Sequence, residues 1–187
     1  RPLDELAHVK KGSREVIDTP EAAIATLAEA VEEMELRYQQ FKDARAKDVR
    51  SYRRITGKPM PTLWIIHDEF ADWMQTEEYR KEVPELVGRL SVKARAAGIF
   101  LLFAAQRPDK EVMPMQLRSQ LGNRLILQVD NIATSEIAMG EKNAGAERLL
   151  GDGHMLAKTG DLPKPTYVQV PYVDIETEVP ILVDLIN

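Results

Sequence analysis

Apolar and polar positions follow two different rhythms along this chain. From Pro20 onward Ile24, Leu27, Val31, Met34, Tyr38 and Phe41 recur at steps of three and four, which predicts one amphipathic helix of about six turns. Asp18 or Thr19 is placed to cap it, Pro20 suits its first turn, and Glu21 suits the positive end of the helix dipole. The stripe ends too soon for a coiled coil and predicts packing against a sheet. Leu63 to Ile66 and Ile99 to Ala105 are instead continuous apolar runs, the pattern of buried strands, the second covered on both faces. Between them Glu85 to Ala97 predicts a second helix, with Leu86, Val87, Leu90 and Ala94 inward and Gly98 as its stop, while Asp72 to Pro84 reads as a helix end and a connecting loop.

The remaining elements are shorter. Pro2 to Asp18 is an irregular lead-in with at most one short strand, and Asp109 to Gly122 a loop with a short helix interrupted at Pro114. Arg124 to Val129 is a third strand, Asn131 caps a helix through Ile137, and Ala144 to Leu150 makes another turn or two. His154 to Lys158 and Tyr167 to Val170 form a strand pair around a turn at Gly160 to Pro165, and Thr177 to Ile186 is a terminal helix that admits Pro180 in its first turn. Strands alternating with helices predict one α/β domain over residues 1–187, a three-layer, mostly parallel sheet flanked by helices.

Composition narrows the chemistry. A chain of 187 residues with 44% hydrophobic and 29% charged residues supports one globular domain with a substantial core. It has no cysteine, so disulfides and thiolate zinc sites are excluded, and no apolar run approaches the roughly 20 residues of a membrane span. The net charge of -5 confines any contact with nucleic acid to a local patch. Basic residues do crowd between Lys42 and Lys58, but such a run is more often a solvated helix face and turn than a phosphate site.

The chemistry concentrates where the first apolar run ends. Leu63-Trp-Ile-Ile-His-Asp-Glu-Phe-Ala-Asp72 delivers two adjacent carboxylates, Asp68 and Glu69, to the end of a buried strand, the end at which open parallel sheets bind ligands. In a nucleotide hydrolase such acids divide the labour, the first holding Mg2+ through its water shell and the second orienting or deprotonating the attacking water. The second apolar run likewise hands Gln106 to the sheet edge. His67, alone before the acids, reads as a packed or hydrogen-bonded strand-end residue rather than a ligand.

Several segments, in order and over most of the chain, resemble the motor domain of the FtsK/SpoIIIE DNA translocases, hexameric RecA-like ATPases. Glu33-Met-Glu-Leu-Arg-Tyr38 is similar to that family's Glu-Met-Glu-x-Arg-Tyr helix, Asp68-Glu-Phe-Ala-Asp72 to its Walker B segment, and Lys93-Ala-Arg-Ala-Ala-Gly-Ile99 to the helix end that follows. Ala105-Gln-Arg-Pro108 resembles its Thr-Gln-Arg-Pro sensor, and Leu149-Leu-Gly-Asp-Gly-His-Met-Leu156 its Leu-Leu-Gly-x-Gly-Asp-Met-Leu.

The resemblance implies ATP and Mg2+ as cofactors, with Asp68 coordinating the metal through water, Glu69 as catalytic base, Gln106 sensing the γ-phosphate and Arg95 as an arginine finger in the neighbouring subunit's site. Arg37 is a second candidate at the nucleotide. It also implies a homo-hexamer acting on double-stranded DNA, in chromosome segregation or conjugative transfer, with Lys110, Arg118 and Arg124 candidates for DNA contact by position alone. The motor would be cytoplasmic, with any membrane anchor upstream. A related motor for protein secretion of the type VII kind, or a non-hydrolysing scaffold, are the alternatives. Departures accompany the likeness: Ala105 replaces threonine, His154 replaces aspartate, His67 stands where an apolar residue is usual, and the Walker A loop is missing, since Gly57-Lys58 runs into Pro59 without the earlier glycine. The chain is therefore expected to be the C-terminal part of such a motor and to bind ATP weakly or not at all by itself.

Overall fold

A computed structural model of the chain describes residues 16–106 and 115–186; the lead-in before Val16, together with Arg107, Pro108 and Lys110, lies outside the described residues. The long stripe folds as predicted into helix α1, Pro20–Ala44. Thr19 accepts the Ala22 amide at its start, and Arg45 ends it in the left-handed conformation at φ 54°. Leu27, Ala30, Val31, Met34 and Phe41 are buried along one face, each large side chain contributing about 1.5–3 kcal/mol.

The basic segment that follows contains helix α2, Val49–Thr56. Asp48 and Ser51 cap it reciprocally, Asp48 Oδ1 accepting the Ser51 amide at 2.7 Å and Ser51 Oγ accepting the Asp48 amide at 3.1 Å. Lys42, Arg45, Lys47, Arg50, Arg53, Arg54 and Lys58 are all exposed, as a solvated face requires.

Strand β1, Leu63–His67, pairs in parallel with β2, Ile99–Phe103, in the register Leu63↔Ile99 through His67↔Phe103. Between them lie a single helical turn, α3 (Phe70–Trp73), and helix α4 (Glu77–Lys93). Helix α4 starts eight residues earlier than the sequence suggests, and Pro84, read as a boundary, sits inside it. A proline in a helix interior costs about 3 kcal/mol, but Tyr79, Val83, Val87 and Leu90 are each fully buried on the same face, and together they outweigh that penalty.

Leu63, Ile65, Leu101 and Phe103 pack one face of β1 and β2 onto the core formed with α1 and α4. The other face carries Trp64, 58% exposed and stacked on Phe100 at 4.8 Å, with Ile66 at 61% and Leu102 at 42% exposure. The expectation that β2 is covered on both faces is thus met on one face only among the described residues.

Beyond helix α5, Met115–Gln120, the strands β3 (Arg124–Ile126), β4 (His154–Lys158) and β5 (Thr166–Gln169) form an antiparallel sheet in the order β3-β4-β5. Helix α6, Ile132–Met139, is capped by Asn131, whose Oδ1 accepts the Thr134 amide at 2.9 Å. Met139, Ala146, Leu149 and Leu156 make a second, smaller core, and helix α7, Glu178–Ile186, closes the described chain. No helix among the described residues is long and apolar enough to cross a membrane.

Candidate functional site

The site begins with a buried histidine. His67 ends β1 with its ring stacked on Phe103 at 5.5 Å and edge-on to Trp73 and Tyr79. Its Nδ1 lies 3.2 Å from the Asp68 carbonyl, which only accepts, so Nδ1 carries the proton and donates. Nε2 is then left to accept the Tyr79 hydroxyl at 2.6 Å. Burial pushes the histidine pKa down, against the opposing effect of the Asp68 carbonyl and carboxylate, and burial pushes the Tyr79 phenol up, so both groups stay neutral. His67 is therefore packed and hydrogen-bonded, as the sequence suggests. Tyr79 belongs to the stretch read as a helix end and a connecting loop, and nothing local in the sequence marks it as the partner of His67.

Buried His67 and fully buried Phe70 bracket the exposed pair Asp68 and Glu69. Glu69 takes the left-handed conformation, φ 49° and ψ 38°, at a cost of about 1–2 kcal/mol for a residue with a Cβ. The parallel ladder continues past β2, the Ala104 amide donating to the His67 carbonyl at 2.8 Å, and this carries Gln106 alongside the acids. The Gln106 Nε2 donates to Glu69 Oε1. Of the three side chains that the sequence places at the sheet edge, Glu69 and Gln106 are in direct contact, and Asp68 precedes Glu69 in the chain, exposed.

Among the described residues no group of three or more His, Asp or Glu could cage a metal ion. An exposed Asp-Glu pair fits Mg2+ all the same, because that ion keeps most of its waters and is held by one or two carboxylates together with substrate phosphates. The donor set is thus suited to a hydrated ion and unsuited to calcium or zinc.

Arg95 is exposed, on the turn between α4 and β2. That turn precedes the first residue of β2, whereas Gln106 follows the last, so arginine and acids stand at opposite ends of the same strands, separated by about 17 Å of strand at 3.3 Å per residue. Arg37 does not face solvent. It is 6% exposed, its Nε bonded to Glu33 Oε1 at 2.7 Å and its Nη1 to the Ala97 carbonyl at 2.7 Å.

Arg124, expected at the DNA, is likewise engaged within the chain. Its Nη1 donates to the Ala138 carbonyl and its Nη2 to the Arg118 carbonyl, both at 2.8 Å, and burial, with Arg118 nearby, lowers its pKa against the pull of Glu141. Arg118 is half-buried beside an open cleft also lined by Glu136, Glu141 and Lys142, and its Nε has no hydrogen-bond partner among the described residues. Lys110 lies outside the described residues.

Comparison with known proteins gives these residues a context. The profile of the FtsK/SpoIIIE family matches residues 1–110. The chain is 32% identical over 161 residues to "DNA translocase FtsK" of Chlorobaculum tepidum, covering 86% of this chain and 20% of that protein. It is 34% identical over 177 residues to "DNA translocase SftA" of Bacillus subtilis, covering 92% of this chain and 18% of that protein. It thus spans about a fifth of the length of these relatives. Among solved structures, the pCW3 conjugation coupling protein TcpA, in its monomer form with ATPγS, superposes with a TM-score of 0.77 at 23% identity, over 92% of this chain and 51% of that one. The cytoplasmic domain of the type VII secretion ATPase EccC of Thermomonospora curvata gives 0.63 at 23% identity, over 92% of this chain and 21% of that one. These likenesses establish the fold as that of RecA-like P-loop ATPase motor domains.

Proposed function

Because the chain belongs to the FtsK/SpoIIIE family, we propose that it is the C-terminal part of an ATP-hydrolysing motor that moves double-stranded DNA. The observation that carries this reading is the contact of Gln106 with Glu69, beside Asp68, across two parallel strands. Asp68 would hold Mg2+ through water, and the bound ion would supply charge neutralisation at the transferred phosphate. Glu69, exposed and oriented by its unusual backbone, takes the proton of the attacking water. Gln106 rests on Glu69 when no γ-phosphate is present and exchanges that partner for the phosphate when it is, passing the change to the segment from Asp109 to Asn123.

Arg95 is too far along the strands to reach its own acids and serves the site of the next subunit in a hexameric ring, where a permanently charged planar donor stabilises the transition state. DNA is gripped by its phosphates without reading of bases, with Lys110 and Arg118 as contacts. Arg124, with both Nη atoms on carbonyls, supports the frame. Movement of a protein is a second reading, supported by the fold likeness to EccC. DNA-stimulated turnover separates the two.

In the full-length protein Glu69→Gln abolishes DNA-stimulated hydrolysis and spares nucleotide binding. Unchanged turnover would remove Glu69 from the chemistry and with it this reading of the site.

A further inference from the structure

The turn that carries Arg95 is held at each of its five carbonyls from Ala94 to Gly98, three of them from other elements. Within the turn, the Ala94 carbonyl accepts the Ile99 amide at 2.9 Å and the Arg95 carbonyl accepts the Gly98 amide at 3.1 Å. Three further elements reach in: the Val49 amide of α2 donates to Ala96 at 3.1 Å, Arg37 Nη1 of α1 to Ala97 at 2.7 Å, and the Leu63 amide of β1 to Gly98 at 2.9 Å. One residue earlier, the Tyr38 hydroxyl donates to the Lys93 carbonyl at 3.1 Å while the Lys93 ammonium lies 5.6 Å over the Tyr38 ring. Every carbonyl from Lys93 to Gly98 thus has a donor, two of them side chains from a single stretch of α1.

Among these donors Arg37 is set apart by its surroundings. Its bond to Ala97 is buried, Glu33 fixes the guanidinium one helical turn back, and Gly98, at φ 72°, brings its backbone so close that an added Cβ would lie 3.4 Å from Arg37 Nη1 and 3.0 Å from Val49. A charge-assisted bond in a dry setting is among the stronger ones. Meanwhile Arg95, inside the same turn, is exposed. A rigid base under a free, charged tip is what a residue acting on another molecule needs, since any looseness there is lost orientation at the reacting group.

We propose that Arg37 is a positioning residue for Arg95: with Glu33 and Tyr38 it forms a bracket on α1 that fixes the turn from which Arg95 projects toward the neighbouring subunit's nucleotide. The similarity of residues 33–38 and 93–99 to two separate family segments then has one cause, because the first segment is the mount of the second. The inference rests on the proposed action of Arg95 in trans, and its test separates the two.

In the full-length protein Arg37→Met, which keeps bulk and removes the donors, lowers kcat about tenfold with the KM for ATP unchanged, and speeds amide exchange at Gly98 and Ile99 by about tenfold. The double variant Arg37→Met/Arg95→Ala turns over no more slowly than Arg95→Ala alone. Arg37→Lys, which keeps one donor and the charge, recovers part of the loss; Tyr38→Phe, which should fold normally, loses less than Arg37→Met but in the same kcat-only manner. Unaltered kcat and exchange in Arg37→Met overturn the bracket, as does a further drop in kcat when it is added to Arg95→Ala. If Arg95→Ala itself leaves turnover intact, the trans reading of Arg95 fails, and accelerated exchange in Arg37→Met still identifies Arg37 as the clamp of the turn. Should Arg37→Met fail to fold, an unchanged kcat in Tyr38→Phe and Arg37→Lys overturns the proposal.

Discussion

The half of the molecule built on β1 and β2 and the half built on β3 to β5 use the same device for different ends. In each an arginine donates to main-chain carbonyls and a positive-φ glycine presses its backbone against the guanidinium: Arg37 with Gly98 in the first, Arg124 with Gly140 in the second. The first arginine has a carboxylate partner, Glu33, and holds a turn that displays an exposed arginine. The second has two carbonyls and ties α5 to the C-terminal end of α6, beside a cleft lined by Arg118, Glu136, Glu141 and Lys142. An arginine in a family of DNA motors is therefore not a phosphate ligand by default; what its nitrogens already touch decides the matter.

The glycines offer the most disruptive way to break the symmetry. An added methyl at Gly98 meets Val49 and Arg37, and one at Gly140 collides with the Arg124 guanidinium, both at φ values that penalise any Cβ. Gly98→Ala and Gly140→Ala should each cost about 2–4 kcal/mol in chemical denaturation, but only Gly98→Ala should also depress turnover of the surviving folded protein. Equal effects on turnover would erase the contrast.

Removing the second bracket comes next. Arg124→Met leaves the Arg118 and Ala138 carbonyls without their donor and should cost about 1–3 kcal/mol, while the slope of DNA affinity against salt concentration stays unchanged. A slope reduced by about one charge would return Arg124 to the DNA surface.

The smallest effect lies in the helix caps, one of which carries a charge, Asp48, while the other, Asn131, carries none. The Ser51 amide and hydroxyl hold the Asp48 carboxyl below its ordinary value of 3.8, so its contribution is complete above that pH and lost as the pH falls through the lowered value. Asp48→Ala should lower the melting temperature at pH 7, and the gap to the parent should close below pH 3.8. Asn131→Ala, at the uncharged cap of α6, should show a deficit of about 1 kcal/mol that does not change with pH.

How much of this was legible in sequence depended on whether the deciding partner is near or far along the chain. The stripe of α1, the two apolar runs and the cap at Asn131 were readable, because periodicity and capping are local. The two apolar runs place Glu69 and Gln106 at the same sheet edge, and the parallel ladder supplies the reason that they touch. The start of α4 was missed because Pro84 is a strong local stop that tertiary burial overrides. The carbonyl commitments of Arg37 to Ala97 and of Arg124 to Ala138 and Arg118 are not legible, since any sequence possesses such acceptors; the pairing of Arg37 with Glu33, one helical turn away, is.

Two of the chain's three histidines make the same point. His67 Nδ1 donates to a carbonyl, while His154 Nδ1 accepts the Leu150 amide at 3.1 Å, a task for which a carboxylate oxygen is chemically equivalent. Which nitrogen carries the proton was fixed by a neighbour in each case, not by the residue.

The stacked indole of Trp64 lies on the uncovered side of the parallel pair, while the chain's other tryptophan, Trp73, is half sheltered against His67. The protein thereby carries its own optical gauge: whatever settles over that apolar surface, whether more of the same polypeptide or another molecule, will move Trp64 out of water and shift its emission toward the blue.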